Sequence, residues 1–278
     1  MKKFFATTWL CLFIHHAVFG IVSFEEGMQP GFSLSAYPKA FLLQQSYDRN
    51  NYAVAKVSEH PKIPKIIHQI WIGGELPDRF KKFVETWKIK HPDWTYRLWT
   101  DADIESFEFS NKQVFDAATN KGTKADIWRY EILCKYGGVY LDTDYECIKP
   151  LDILHHTCEF YVCADDDCVG NGVIGCIPNH PIIKQCINEI KLLTFDNLQY
   201  PWTYTGPGLI TRCVNIYLMK TKYISMRGIV VYPSLFFHPF PGVLRFQYWS
   251  GELSRNEIER FLIPETFAVH FWAESWRK

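Results

Sequence analysis

Between Tyr136 and Glu146 the chain reads YGGVYLDTDYE, with Asp142 and Asp144 one residue apart directly after the apolar run Val139 to Leu141. In a strand, side chains i and i+2 leave on the same side. Both carboxylates are therefore expected to aim together at the carboxyl end of a sheet, where ligands sit in open α/β folds. Two convergent carboxylates offer hard oxygen ligands to Mg²⁺ or Mn²⁺, ions that take further oxygens from a substrate's phosphates. A cation held there would stabilise a diphosphate as negative charge develops on it. Asp144, nearer the loop, is the candidate metal ligand. Asp142 would meet the ion through water or hold a ribose or sugar hydroxyl. The alternative is that either carboxylate caps backbone N–H groups.

Asp126 and Arg129, three apart, share a helix face just upstream. A carboxylate accepting from sugar hydroxyls beside a guanidinium near phosphate suits a sugar diphosphate. The alternative is a surface ion pair, which contributes little. Trp71 ends an expected strand before Gly73-Gly74. Its indole either stacks on a nucleobase, at about 1–3 kcal/mol, or fills the core. Near the C-terminus, His270 and Trp272 share a strand face, followed by Glu274, Ser275 and Trp276. His270 offers a neutral imidazole to a metal, and Ser275 and Trp276 offer hydrogen bonds to a diphosphate. Asn171-Gly172 follow Asp165-Asp166-Asp167. Asn171 is a candidate to line a sugar or acceptor pocket, with a glycine beside it that permits close approach. The acidic triplet either meets an acceptor hydroxyl or is a solvated turn. His68, on the strand face of Ile70, reads as structural.

The elements that must position these residues follow from periodicity. Residues 64–72 form an apolar strand closed by Gly73-Gly74, and 77–90 place Phe80, Phe83, Val84 and Trp87 on one helical face. Residues 94–99 alternate as a strand, Asp101 is expected to cap a helix over 101–107, and another helix lies near 111–119. Residues 123–134 read as a helix stopped by Gly137-Gly138, and strand 139–141 follows. This β-α-β-α-β order implies a parallel or mixed sheet with flanking helices. Strands are expected at 160–164, 170–177 and 229–232, and helices at 181–193 and 209–219. Residues 235–240 read as an aromatic loop wall, since Pro233 and Pro239 disfavour a strand, and 268–276 as a strand with a polar–aromatic tail.

With 278 residues the chain is long enough for one large core or two modest domains. Lys+Arg and Asp+Glu number 30 each, so no basic surface excess points to nucleic acid. Lys2 and Lys3 precede a mostly apolar run, Phe4 to Val22, which reads as a signal peptide or membrane anchor over residues 1–22. Membrane association would then run through residues 4–22, with Lys2 and Lys3 on the cytoplasmic side. Residues 23–61 read as a stalk or pre-domain segment and residues 62–278 as the catalytic domain. Of nine Cys, Cys11 lies in the leader, and Cys158, Cys163, Cys168 and Cys176 lack the paired spacing of common zinc sites. Disulfides are expected if the domain is exported and free thiols if it is not.

Taken in order, IPKIIHQIWIGG, ADIWRYEILCKYGGVYLDTD and HFWAESW resemble the glycosyltransferase family with the DXD sugar-binding motif, over roughly residues 64–276. That family includes yeast-type α-mannosyltransferases and mannosyl inositol phosphorylceramide synthases, with the glucosylating domains of clostridial toxins as more distant relatives. The middle block is the specific one, because helix, Gly-Gly turn and DXD strand occur together. The resemblance implies a GT-A-like α/β fold and a metal-dependent transfer of a hexose, with retention at the anomeric carbon. The donor would be a UDP- or GDP-hexose with Mn²⁺ or Mg²⁺, and the acceptor a glycan, glycolipid or protein. It also implies donor-sugar binding by Asp126 and Arg129, base stacking by Trp71, and metal or diphosphate contacts from the tail. Thr205-Gly206-Pro207-Gly208 resembles the family's acceptor-side loop. A Golgi-like lumen is the expected location if the source is eukaryotic.

Two other functions compete. A haloacid-dehalogenase-like phosphatase also uses strand–DxD, but wants Thr or Val where this chain has Glu146, and opens its fold with the motif. A non-catalytic carbohydrate-binding protein on a decayed transferase fold is the other, since fold does not imply function.

Overall fold

The computed structural model describes residues 20–221 and 228–274. Its elements, in chain order, are α1 (Phe41–Asn50), β1 (Ile66–Ile70), α2 (Asp78–Lys90), β2 (Thr95–Trp99), α3 (Lys121–Tyr136), β3 (Gly138–Leu141), β4 (Tyr145–Cys147), β5 (Phe160–Asp165), β6 (Cys168–Cys176), α4 (Pro181–Ile190), α5 (Pro207–Lys220), β7 (Ile229–Tyr232) and β8 (Ala268–His270). Short helical turns join them. Six strands form one mixed sheet in the order β2-β1-β3-β6-β5-β7, in which β6 runs against the other five. β4 and β8 form a separate antiparallel pair that places Tyr145 opposite His270.

Helix α3 is the central positioning element. The Asn120 side chain accepts from Gly122 N at 2.7 Å and Thr123 N at 3.2 Å, which satisfies two of the four free N-terminal donors. The helix is buried almost continuously from Asp126 to Leu133, so it is a core helix and not a one-sided surface helix. It stops because Gly137 and Gly138 adopt positive φ of 62° and 89°. A Cβ on Gly138 would lie 2.5 Å from Ile66 O on β1, so the same glycine also allows β3 to pair closely. β3 is buried along its whole length between β1 and β6.

Most expected elements are present with shifted ends, and several expectations change. Residues 23–61, expected as a stalk or pre-domain segment, pack against the sheet. Phe24, Leu43 and Tyr47 are buried in the same core as β1 and β3, and Ser46 Oγ donates to Ile229 O of β7 at 2.9 Å. Leu43 and Tyr47 lie four apart on the buried face of α1, while Phe24 comes from an irregular turn that carries no periodic signal. Asp101 does not cap the helix that follows it. Thr100 and Asp103 form a capping box there, while Asp101 Oδ2 accepts from Gly73 N at 2.7 Å and Gly74 N at 3.1 Å. Residues 235–240 are indeed not a strand, but Phe236, Phe237 and Phe240 are core residues. The eight described cysteines are free thiols. Among the described residues, no helix is long and apolar enough to cross a membrane. Most of the expected leader, residues 1–19, lies outside them.

Candidate functional site

A cavity of about 510 Å³ opens at the carboxyl ends of β1, β3 and β5, lined by Trp71, Asp126, Arg129, Asp142, Asp144, Asn171 and His270 among others. It gathers every expected site residue that is described. Ser275 and Trp276 lie outside the described residues.

Asp142 and Asp144 converge, but not through strand alternation. β3 ends at Leu141, and Asp142 to Asp144 make the turn into β4. Asp142 N donates to Gly172 O and Tyr145 N to Asp142 O, which sets the turn. Asp142, Asp144 and His270 each place a ligand atom within 4.8 Å of the others. His270 Nε2 lies 3.2 Å from Asp144 Oδ1, and Ala273 N donates to Asp144 Oδ2 at 2.7 Å. Burial opposes charge on both groups, yet their pairing dominates. It holds the Asp144 carboxyl below its ordinary value and the His270 imidazole above its own. Asp142 moves the other way, because burial and the Asp144 charge outweigh the neighbouring Arg129. Two carboxylates and one imidazole form a donor set that fits Mn²⁺ or Mg²⁺.

Behind this set, Arg129 Nη2 pairs with Asp126 Oδ1 at 3.0 Å, and Nη1 with Asp142 Oδ1 at 3.2 Å and Asn171 O at 2.6 Å. The Arg129 and Asp126 side chains are only 5% and 12% exposed, which removes the surface ion pair as a reading. Asp126 also accepts from Asn171 Nδ2 at 2.8 Å and Thr205 Oγ1 at 3.0 Å. Burial pushes its carboxyl up to about 6 against the opposing pull of Arg129. Trp71 is half-buried at the cavity wall, with its ring 5.2 Å from Phe80. The acidic triplet splits. Asp165 reaches the cavity, while Asp166 turns the chain with φ of 53°. His68 is structural, held between Gly137 O and Trp99 Nε1.

Several contributors were not expected from the sequence. Tyr140 Oη donates to Asp142 Oδ1 at 2.7 Å. Thr205, noted within an acceptor-side loop, instead orients Asp126. Trp202 and Lys121 line the cavity. Tyr140 sits two residues before Asp142, close enough in sequence for its hydroxyl to reach the turn. A backbone donor such as Ala273 N leaves no sequence signal.

Residues 77–160 match the glycosyltransferase sugar-binding region containing the DXD motif, and residues 176–278 match an alpha 1,4-glycosyltransferase conserved region. Inositol phosphoceramide mannosyltransferase 1 of Schizosaccharomyces pombe is 29% identical over 233 residues, covering 78% of this chain and 63% of that protein. The chain spans less than two thirds of the length of the three such mannosyltransferases it matches in that organism. An uncharacterized glycosyltransferase of Acanthamoeba polyphaga mimivirus is 30% identical over 188 residues, covering 64% of this chain and 73% of that protein. The catalytic domain of alpha-toxin from Clostridium novyi shares the fold at a TM-score of 0.50 and 10% identity, over 88% of this chain and 84% of that domain. With the DXD region, the site geometry and a relative covered over most of its length, the chain belongs to the DXD-containing glycosyltransferase family and has its GT-A-like fold.

Proposed function

We propose that this chain transfers a hexose from a UDP- or GDP-sugar to an acceptor hydroxyl with a divalent cation, Mn²⁺ or Mg²⁺, and with retention at the anomeric carbon. The observation that carries the reading is the convergence of Asp142, Asp144 and His270 beside the buried Asp126–Arg129 pair. Asp142, Asp144 and His270 would hold the cation, which would neutralise charge on the leaving diphosphate. Arg129 fixes Asp126 and Asp142 and opposes part of the upward push that burial gives both carboxyls. Asp126, oriented by Thr205 and Asn171, would accept from donor-sugar hydroxyls. Trp71 at the wall would stack on the nucleobase. Ser275 and Trp276 would add hydrogen bonds to the diphosphate.

A glycolipid fits best among the acceptors. Relatives are named for transfer to inositol phosphoceramide. Phe195, Tyr200 and Trp202, each more than half exposed, lie along the segment that leads to the cavity rim. Such a rim suits an acceptor with an apolar tail. Ile21 and Val22, expected in the leader, pack against the core, where Tyr47 Oη donates to Val22 O at 2.7 Å. Membrane attachment through the part of the leader before residue 20, in a Golgi-like lumen if the source is eukaryotic, therefore belongs to the same proposal.

The test is release of nucleoside diphosphate from UDP- and GDP-hexoses with Mn²⁺, with and without a glycolipid acceptor. Release with one donor, lost with EDTA and in Asp144→Ala, supports the reading, and NMR of the product's anomeric proton decides retention. No release and no Mn²⁺-dependent nucleotide binding with any donor would refute it, and a non-catalytic carbohydrate-binding role would take its place.

A further inference from the structure

We propose that Tyr145 and Trp272 form an aromatic cradle that positions the His270 imidazole for metal binding, in place of the hydrogen bond that usually does so. The inference rests on the metal reading above. A metal-binding imidazole almost always donates its second ring N–H to a carboxylate, carbonyl or water, which fixes the ring plane. His270 turns Nε2 toward Asp144 at 3.2 Å, but its Nδ1 is buried with no hydrogen-bond partner among the described residues. The ring is held by packing instead. Tyr145 stacks on it with centroids 4.2 Å apart and planes 5° apart, and the Trp272 indole lies 4.1 Å from it at 41°.

Both cradle rings are themselves anchored. Tyr145 directly follows Asp144 and faces His270 across the β4–β8 pair, so backbone pairing brings the two rings to the same height. Its hydroxyl lies 2.5 Å from Nε2 of the buried His238. Trp272 Nε1 donates to Phe240 O at 2.8 Å, and its backbone φ of 51° turns the chain there. The arrangement places one ligand (Asp144) and the platform for another (Tyr145) on adjacent residues. A shift of β4 would disturb both together. Tyr145 and Trp272 act here through His270 and are positioning residues.

The cradle predicts that metal affinity follows the aromatic ring of residue 145 and not its hydroxyl. The test measures Mn²⁺ binding to the full chain by electron paramagnetic resonance, alone and with UDP or GDP. Tyr145→Phe keeps the ring and loses the His238 contact. It should bind Mn²⁺ within about threefold of wild type, while its melting temperature falls. Tyr145→Leu should weaken Mn²⁺ binding by roughly 10–100-fold, the range seen when an outer partner of a ligand is lost. Trp272→Leu, at a less buried position, should weaken it as well and serves if Tyr145→Leu does not fold. Wild-type affinity in either folded Leu variant, or equal losses in Tyr145→Phe and Tyr145→Leu, would overturn the cradle while leaving the metal reading intact. Failure of the wild type to bind Mn²⁺ under any of these conditions would instead overturn the metal reading, and the cradle with it.

Discussion

Arg129 of α3 lies 3.2 Å from Asp142 in the turn after β3, so one buried guanidinium ties the helix to the DXD turn. The same group holds Asp126 at 3.0 Å and caps Asn171 O. It therefore supplies the paired charge for the buried Asp126 carboxylate and for Asp142, whose side chain is 31% exposed at the cavity. Arg129→Ala leaves both unpaired, and breaking a buried pair in this way costs about 3–5 kcal/mol. Urea denaturation should show a loss of that size at neutral pH. A loss below about 1 kcal/mol would mean that water reaches the pair and screens it. Arg129→Lys should rescue only part, because an ammonium cannot match the forked geometry.

Gly172 is the second constraint on the turn. A Cβ there would lie 2.9 Å from Asp142 Oδ2 and 2.9 Å from Tyr145 Oη. Gly172→Ala should therefore push Asp142 out of its place at an overpacking cost of about 1–3 kcal/mol, which leaves the protein folded. Divalent-ion binding should weaken far more than stability. Mn²⁺ titration of the folded variant checks this, and unchanged affinity would show that Asp142 is not needed at its present position.

Much of this site was legible because its parts are local. The Asn120-capped helix, the Gly-Gly stop and the Asp-Thr-Asp run lie within a few turns of one another, and each carries its own steric reason. The mixed sheet also followed from the alternation of strands and helices. What was hidden depends on long-range pairing. Ala273 N reaches Asp144 only because β8 pairs with β4, and Thr205 reaches Asp126 only through the packing of a distant loop. The convergence of the two aspartates was expected for the wrong local reason, since a turn and not a strand brings them together.

The N-terminal segment departs furthest from the stalk expected of it, and it carries a prediction about truncation. Leu43 and Tyr47 are almost fully buried, and α1 covers β7 at the sheet edge. Removing residues 1–19 leaves these contacts in place. Starting the chain at residue 62 strips apolar cover from β7 and uncovers an edge strand, which invites aggregation. Expression of the two truncations should give a monodisperse protein in the first case and insoluble material in the second. Leu43→Ala in the full chain should cost about 2–5 kcal/mol, as for a buried leucine elsewhere. A stable, soluble chain beginning at residue 62 would restore the stalk reading.

Acid should unfold this protein through histidines far from the Asp142–Asp144–His270 cluster. Burial lowers His68 to about 4, His155 to about 3 and His180 to about 4, from an ordinary value of 6.5. Each stays neutral in the folded state while the unfolded chain takes up a proton. Their contribution is intact above pH 6.5 and is lost as pH falls below it, at about 1.4 kcal/mol per pH unit for each histidine once the unfolded imidazole is fully charged. Asp126 works in the opposite sense. Its carboxyl is raised from 3.8 to about 6, so its contribution is greatest below the ordinary value and is lost as pH rises through about 6. These three histidines, joined by the buried His91 and His238, steepen the loss of stability as pH falls below 6.5, and Asp126 with the raised carboxyls of Asp142 and Asp165 offsets part of it. Urea denaturation at a series of pH values gives the slope directly. His155→Gln should flatten it by about 1.4 kcal/mol per pH unit, and an unchanged slope in that variant would show that His155 is protonated in the folded protein.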